Sequence, residues 1–261
     1  MTLLSKTRRL NKLLQKTAGT SVNFMEMGEV LRDTIGANVF VVSRKGKILG
    51  NGLVRHTWNP RLSEMILEDK RFPHEVNQWF ANIDETASST DLESPNVPIV
   101  QKITELMDGE YVMVVPILGA GNRIGTLLIS RSDSPFGDDD LVLAEYGSTI
   151  VGMEILRMRA EEYELEARNK AAVEVAIGSL SFSELEAVEQ IFEELDGKEG
   201  LLVASKVADR AGITRSLIVN ALRKLESAGV IETRSLGMKG TYIRILNDRL
   251  IDKIANSDLP T

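Results

Sequence analysis

From Asp138 to about Ile177 the chain keeps a helical pattern for forty residues without a strong breaker. At 1.5 Å per residue that pattern predicts a rod of roughly 60 Å. Its first half is apolar enough to pack on a sheet, and the acidic run Asp138-Asp139-Asp140 suits the positive end of a helix dipole. Its second half, Arg159 to Lys170, is almost wholly charged and predicts a solvated segment between domains. A rod of this kind commonly joins domains and supports dimerisation. The other 221 of the 261 residues are thereby divided into two blocks, each of domain size.

Charge follows the same division. Net charge is −7 overall. From Asp138 to Glu199 there are 17 acidic and 5 basic residues, whereas Leu201 to Lys253 holds 10 basic and 5 acidic ones. A basic C-terminal module is carried on an acidic body. The chain has no cysteine and only two histidines, His56 and His74, which removes disulfides, thiolate metal sites and cysteine nucleophiles, and leaves little for a histidine-built centre. No apolar run reaches membrane-span length, and the basic N-terminus lacks the apolar stretch of a secretory signal, so a cytoplasmic protein is expected.

In the first block, Leu3, Leu10, Leu13 and Leu14 predict an amphipathic helix, and Asn23 with Glu26 caps a second carrying Met27, Val30, Leu31 and Ile35. Residues 38–43 and 47–50 read as a hairpin around Arg44-Lys45-Gly46. Residues 61–80 read as a helix broken at Phe72-Pro73. The polar stretch 81–100 reads as a loop, and 111–118 with 123–130 as a second hairpin. This order predicts an α+β sensor of the GAF or PAS type, an antiparallel sheet with helices against it.

The C-terminal block carries the most specific pattern. Ser181 and Glu184 form a capping box for a helix with Leu185, Val188, Ile191, Phe192 and Leu195 inward. A short helix then ends at Gly212 and Thr214 caps the next. Val207, Ala211, Ile218, Ala221, Leu222 and Leu225 can fill a shared core, and Ala208 permits close helix crossing. Arg215, Ser216, Val219, Asn220, Arg223 and Lys224 lie on the opposite side, a pattern able to read base edges in a major groove. Two strands around Gly237-Met238-Lys239-Gly240 predict a β-wing with Arg234, Lys239 and Arg244 available to phosphates.

Two weaker patterns are ambiguous from the residues alone. Ser43-Arg44-Lys45-Gly46-Lys47 is either a solvated turn or a phosphate cradle, and Arg61 among Leu62, Met65, Phe72 and Pro73 is either a surface cation over core or a carboxylate clamp. Gly119-Ala-Gly121-Asn-Arg-Ile-Gly125 is a hairpin turn rather than a dinucleotide loop, because its third glycine is one position late and a strand follows. The alternative is a nucleotide-binding enzyme or signalling module acting through the first block, with the C-terminal block only for protein contacts; the absence of a P-loop weighs against the enzyme.

The run Ser205 to Tyr242, together with 3–8, 41–50, 138–146 and 152–157, resembles the CodY family, nutrient-responsive transcriptional repressors of Gram-positive bacteria. The resemblance implies a GAF-type effector domain (1–158), a helical linker (159–178) and a winged helix-turn-helix (179–261). It also implies a homodimer, able to assemble further on DNA, that binds an AT-rich palindromic operator in double-stranded DNA. By the same resemblance the effectors are GTP and the branched-chain amino acids isoleucine, leucine and valine, with no resident cofactor, metal or membrane contact. The DNA set carried over is Ser205, Thr214, Arg215, Ser216, Val219, Asn220, Arg223, Lys224, Arg234, Ser235, Met238 and Lys239. The amino-acid pocket is Arg61, Leu62, Met65, Phe72, Pro73, Val97 and Ile99. The GTP set is Phe24, Ser43, Arg44, Lys45, Lys47, Glu154 and Arg159. This chain departs from the family pattern in carrying one extra residue between Arg61 and Phe72, Val76 where tyrosine is common, and Asn96–Val100 in place of an aromatic-containing segment.

Overall fold

The computed structural model describes residues 2–16, 23–54, 60–108, 110–195 and 197–255, with backbone only at 14–16, 60, 61, 67 and 255. Contacts divide the chain into two units, Met1–Ala160 and Glu161–Thr261.

The first unit is an antiparallel sheet between two helical layers. Strands β1 (Asn38–Ser43), β2 (Ile48–Gly52), β3 (Ala87–Ser88), β4 (Tyr111–Gly119) and β5 (Asn122–Arg131) lie in the order β2-β1-β5-β4-β3. Side chains alternate across a strand, so each strand feeds two cores. Val39, Val41, Met113, Val115, Leu127 and Ile129 pack on one face under α1 (Leu3–Lys16), α2 (Phe24–Ile35) and the start of α6 (Asp138–Gly178). Phe40, Val42, Val112, Val114 and Leu128 pack on the other face, under the segment from α3 (Pro60–Ser63) through α4 (His74–Ala81) to α5 (Val97–Leu106). Burial on both faces explains why these strands read as unbroken apolar runs rather than alternating ones.

Helix α2 starts as its cap predicts, with Asn23 Oδ1 accepting from the Met25 and Glu26 amides. It then lies directly on β2. A Cβ at Gly52 would fall 2.1 Å from the Gly28 carbonyl oxygen, and one at Gly50 2.2 Å from that of Phe24. The residues 61–80 form α3, a π-turn at Glu64–Glu68 and α4, with the break at Phe72-Pro73 as expected.

The stretch 81–100 is not a loop throughout. Ala87 and Ser88 pair with Val114 and Met113 as an edge strand, and α5 begins at Val97. Pro98 is the reason the sequence misleads here. In the first turn of a helix its missing N–H costs nothing and its fixed φ favours the start, so it opens α5 instead of breaking it.

Helix α6 runs unbroken for 41 residues. Leu143, Ala144, Ile150, Val151 and Ile155 belong to the first unit's core, and Val173 and Ala176 to that of the second. Every side chain from Ala160 to Ala171 is exposed.

The second unit packs α7 (Phe182–Glu194), α8 (Ala204–Ala211), α9 (Arg215–Ser227) and α10 (Arg249–Ala255) with a sheet of β6 (Glu199–Leu202), β7 (Ile231–Ser235) and β8 (Thr241–Ile245), ordered β6-β8-β7. The wing thus has a third strand, β6, that the sequence pattern did not show. The core contains Val188, Ile191, Val207, Ile218, Ala221, Leu222 and Leu225; Ala211, Leu185 and Phe192 are half-buried, and Glu184 and Ala187 take the enclosed positions on α7. No described helix is long and apolar enough to cross a membrane.

Candidate nucleic-acid interface and effector sites

The turn between α8 and α9 is set by two residues. Gly212 takes φ +68°, the left-handed region that glycine enters without a Cβ clash, and its amide closes α8 on the Ala208 carbonyl. Thr214 caps α9, its hydroxyl oxygen accepting from the Leu217 amide. Helix α9 then buries Ile218, Ala221, Leu222 and Leu225, which forces Arg215, Ser216, Val219, Asn220 and Arg223 outward, and all five are exposed. Spacings of three and four residues keep 216, 219, 220 and 223 on one stripe.

Register places Arg234 opposite Tyr242 and Ser235 opposite Thr241, with the turn Gly237–Lys239 at the tip. Met238 is fully exposed there. Among the described residues, no carboxylate pairs with Arg215, Arg223, Arg234 or Lys239, whereas Arg210 is taken by Glu194, Lys198 by Asp248 and Arg244 by Glu199. Among the described residues, the cations left without an acid include those on the outer side of α9 and the wing, together with Lys206 on α8 and Lys253 on α10. Ser205, in the first turn of α8, is exposed as well. The wing is tied to α9 by Glu226, whose carboxylate accepts from the Thr233 amide at 2.8 Å and hydroxyl at 2.7 Å.

Lys224 is placed differently from the others. Its Nζ donates to the Ser179 carbonyl at 2.8 Å and to Glu184 Oε2 at 2.6 Å. Glu184 Oε2 also accepts from the Ser181 amide at 2.8 Å, completing the capping box. These hydrogen bonds, Lys224 first, hold the buried Glu184 carboxyl below its usual pKa.

In the first unit, Leu62, Met65, Phe72 and Val76 are buried in the core over the sheet face of Phe40, with Ile99 packed against it. Phe72 meets Phe40 and Phe80 edge-on at 6.3 and 5.4 Å. Pro73 is exposed and Val97 half-buried at the start of α5. The Arg61 side chain and His56 lie outside the described residues. A cleft of about 370 Å³ opens beside Glu64, Met65, Asp69, Arg71, Phe72 and Pro73.

The basic turn after β1 is bound to that same segment. Asn77 Nδ2 donates to the Arg44 carbonyl at 2.9 Å, Arg71 to that of Lys45 at 3.2 Å, and the Phe72 amide to that of Gly46 at 2.9 Å. Ser43 Oγ accepts from the Lys47 amide, while the side chains of Arg44, Lys45 and Lys47 are exposed. Phe24 and Glu154 are buried on the opposite layer, with α2 and α6, Glu154 paired to Arg157 at 3.0 Å; Arg159 is half-buried. The carried-over GTP set therefore spans both helical layers. No sequence signal pointed to Arg71 or Asn77, because neither contact follows a local periodicity.

Comparison with known proteins agrees with this architecture. Residues 2–179 match the family model for the CodY GAF-like domain, and residues 198–257 that for the CodY helix-turn-helix domain. The chain is 59% identical over 254 residues to the global transcriptional regulator CodY of Brevibacillus brevis, covering 97% of this chain and 98% of the relative. It is 58% identical over 256 residues to that of Bacillus pumilus, covering 98% of each. The solved cofactor-binding GAF domain of the nutrient sensor CodY from Clostridium difficile aligns with 58% of this chain and 96% of its own, at 39% identity and a TM-score of 0.40. Matched by both domain models and by relatives along nearly its whole length, the chain belongs to the CodY family of global transcriptional regulators, proteins with a DNA-binding helix-turn-helix and not enzymes.

Proposed function

We propose that this regulator is a cytoplasmic, nutrient-responsive repressor that binds an AT-rich palindromic operator as a homodimer and senses branched-chain amino acids and GTP. The observation that carries the DNA part is the set of acid-free cations on the outer side of α9 and the wing, beside a stripe of Ser216, Val219 and Asn220. Arg can pair with guanine or phosphate, Asn with adenine, and Val can touch a thymine methyl. The homodimer is supported by α6, where Val142 and Met153, three turns apart on one side of the helix in the first unit, are exposed apolar residues that a second copy could cover.

The effector part rests on the hairpin Ser43–Lys47 as the phosphate cradle and on the Met65–Pro73 cleft as the amino-acid pocket. Both are joined through residues 71–77, so a ligand that reorders this segment at one site alters the other. Ligand binding would then shift the population of dimer geometries and with it the spacing of the two winged helices. The deciding measurement is operator binding by the purified full chain against salt, with and without isoleucine and GTP. A salt-sensitive preference for the operator over random duplex, strengthened by either effector, is the expected result. Equal affinity for both duplexes would overturn the DNA reading, and unchanged affinity with both effectors would overturn the sensing one. Sustained GTP turnover would contradict the assignment of GTP as an effector.

A further inference from the structure

We infer that Lys224 is a positioning residue for the DNA-reading helix, locking the C-terminal end of α9 to the junction of α6 and α7, rather than a contact to phosphate. The inference rests on α9 being the helix that reads DNA. Its position beside Arg223 makes Lys224 look like one more cation of the binding face. The structure gives its amine two short acceptors instead, the Ser179 carbonyl and the Glu184 carboxylate. Ser179 is the residue directly after α6 ends at Gly178, and Glu184 stands in the first turn of α7. One ammonium therefore joins three helices.

Burial makes the lock costly to open. The Glu184 side chain is only 8% exposed, against 40% for that of Lys224. Withdrawing Lys224 toward a phosphate would leave an enclosed carboxylate without its counter-charge, which costs far more than a surface ion pair returns. Arg215 and Arg223 carry no such debt, since no carboxylate among the described residues holds them. Together with Glu226 on Thr233, Lys224 leaves the last turn of α9 held on both sides, to the wing through one residue and to the α6–α7 junction through the other. Base readout needs side chains placed within a fraction of an ångström, so loosening this turn should damage discrimination before it damages charge attraction.

The test is operator and random-duplex binding by the full-length protein carrying Lys224→Gln or Glu184→Gln, measured across salt at a temperature where circular dichroism shows both folded. Glu184→Gln is the sharper arm, because it leaves the Lys224 amine only neutral acceptors and removes a negative charge. A positioning role predicts that it weakens operator binding about tenfold, the equivalent of one charge-assisted hydrogen bond, with random-duplex affinity nearly unchanged. A phosphate-binding Lys224 predicts the opposite, affinity unchanged or tighter. For Lys224→Gln, a positioning role keeps the slope of log affinity against log salt. Loss of about 0.9 per site, roughly 1.8 for a dimer, would overturn the inference. Should Lys224→Gln fail to fold, Glu184→Gln still decides, since its amide oxygen can accept from Ser181. No preference for the operator in the unmodified protein would instead defeat the DNA reading itself.

Discussion

Arg215 and Arg223 gain nothing from the fold they stand on: both are exposed, and neither meets a carboxylate among the described residues. Replacing both with alanine should leave the melting temperature unchanged and weaken operator binding, by about 1–3 kcal/mol for each arginine that pairs with a base. Titration against salt and against point variants of the operator separates base from phosphate contacts. Glu184 behaves differently because its charge is part of the fold. Its carboxyl is held below the ordinary value of 4.5 by Lys224 and the Ser181 amide. A carboxyl with a depressed folded pKa stabilises the protein above its unfolded value, and that contribution disappears as pH falls through the folded one. The second unit should therefore lose stability on acidification below about pH 4.5, and Glu184→Gln should flatten that part of the profile. Thermal melts at stepped pH, following the second unit's transition, provide the check.

At the scale of elements, the closest contacts are between backbones. The pairing of Gly28 on α2 with Gly52 on β2 leaves 2.1 Å between the Gly28 carbonyl oxygen and where a Gly52 Cβ would stand. Backbone cannot give way as a flexible side chain can, so Gly52→Ala should destabilise the first unit by at least about 1–3 kcal/mol. Gly178→Ala, at the end of α6 with nothing within 4 Å, is the control and should change little. Differential scanning calorimetry of the whole chain should show only the first unit's transition moving. Arg123 illustrates a different constraint on the same sheet. It donates to the Ile83 carbonyl and to Thr126 Oγ1, and burial lowers its pKa to about 10, still well above neutral. It remains a cation that satisfies interior acceptors, in a hairpin whose sequence pattern announces only strands and a turn.

For the whole molecule, α6 is the one element shared by both units, and in the proposed homodimer its exposed apolar residues would carry the contact. On that reading, Val142→Glu with Met153→Glu should shift the sedimentation coefficient from dimer toward monomer. Because each half-site then binds alone, operator affinity should fall by an order of magnitude or more, the loss expected when the second contact is no longer intramolecular. Random-duplex binding should fall less.

Local spacing carried most of what the sequence disclosed. The capping residues Asn23, Ser181 and Thr214, the outward stripe of 216, 219, 220 and 223, the two hairpins and the long helix all depend on residues within a turn or two of one another, where periodicity and caps are written directly. Pro98 shows the limit even there, since a proline opens a helix or breaks one according to a start that its neighbours do not mark. The remaining features join distant positions: Lys224 with Glu184 across 40 residues, Asn77 with Arg44 across 33, Arg123 with Ile83 across 40. Contacts such as that of Lys224 with Glu184 set which cations have an acid partner and which do not. A lysine's sequence neighbours show its charge, but only the packed chain shows whether a buried carboxylate has come within reach of it.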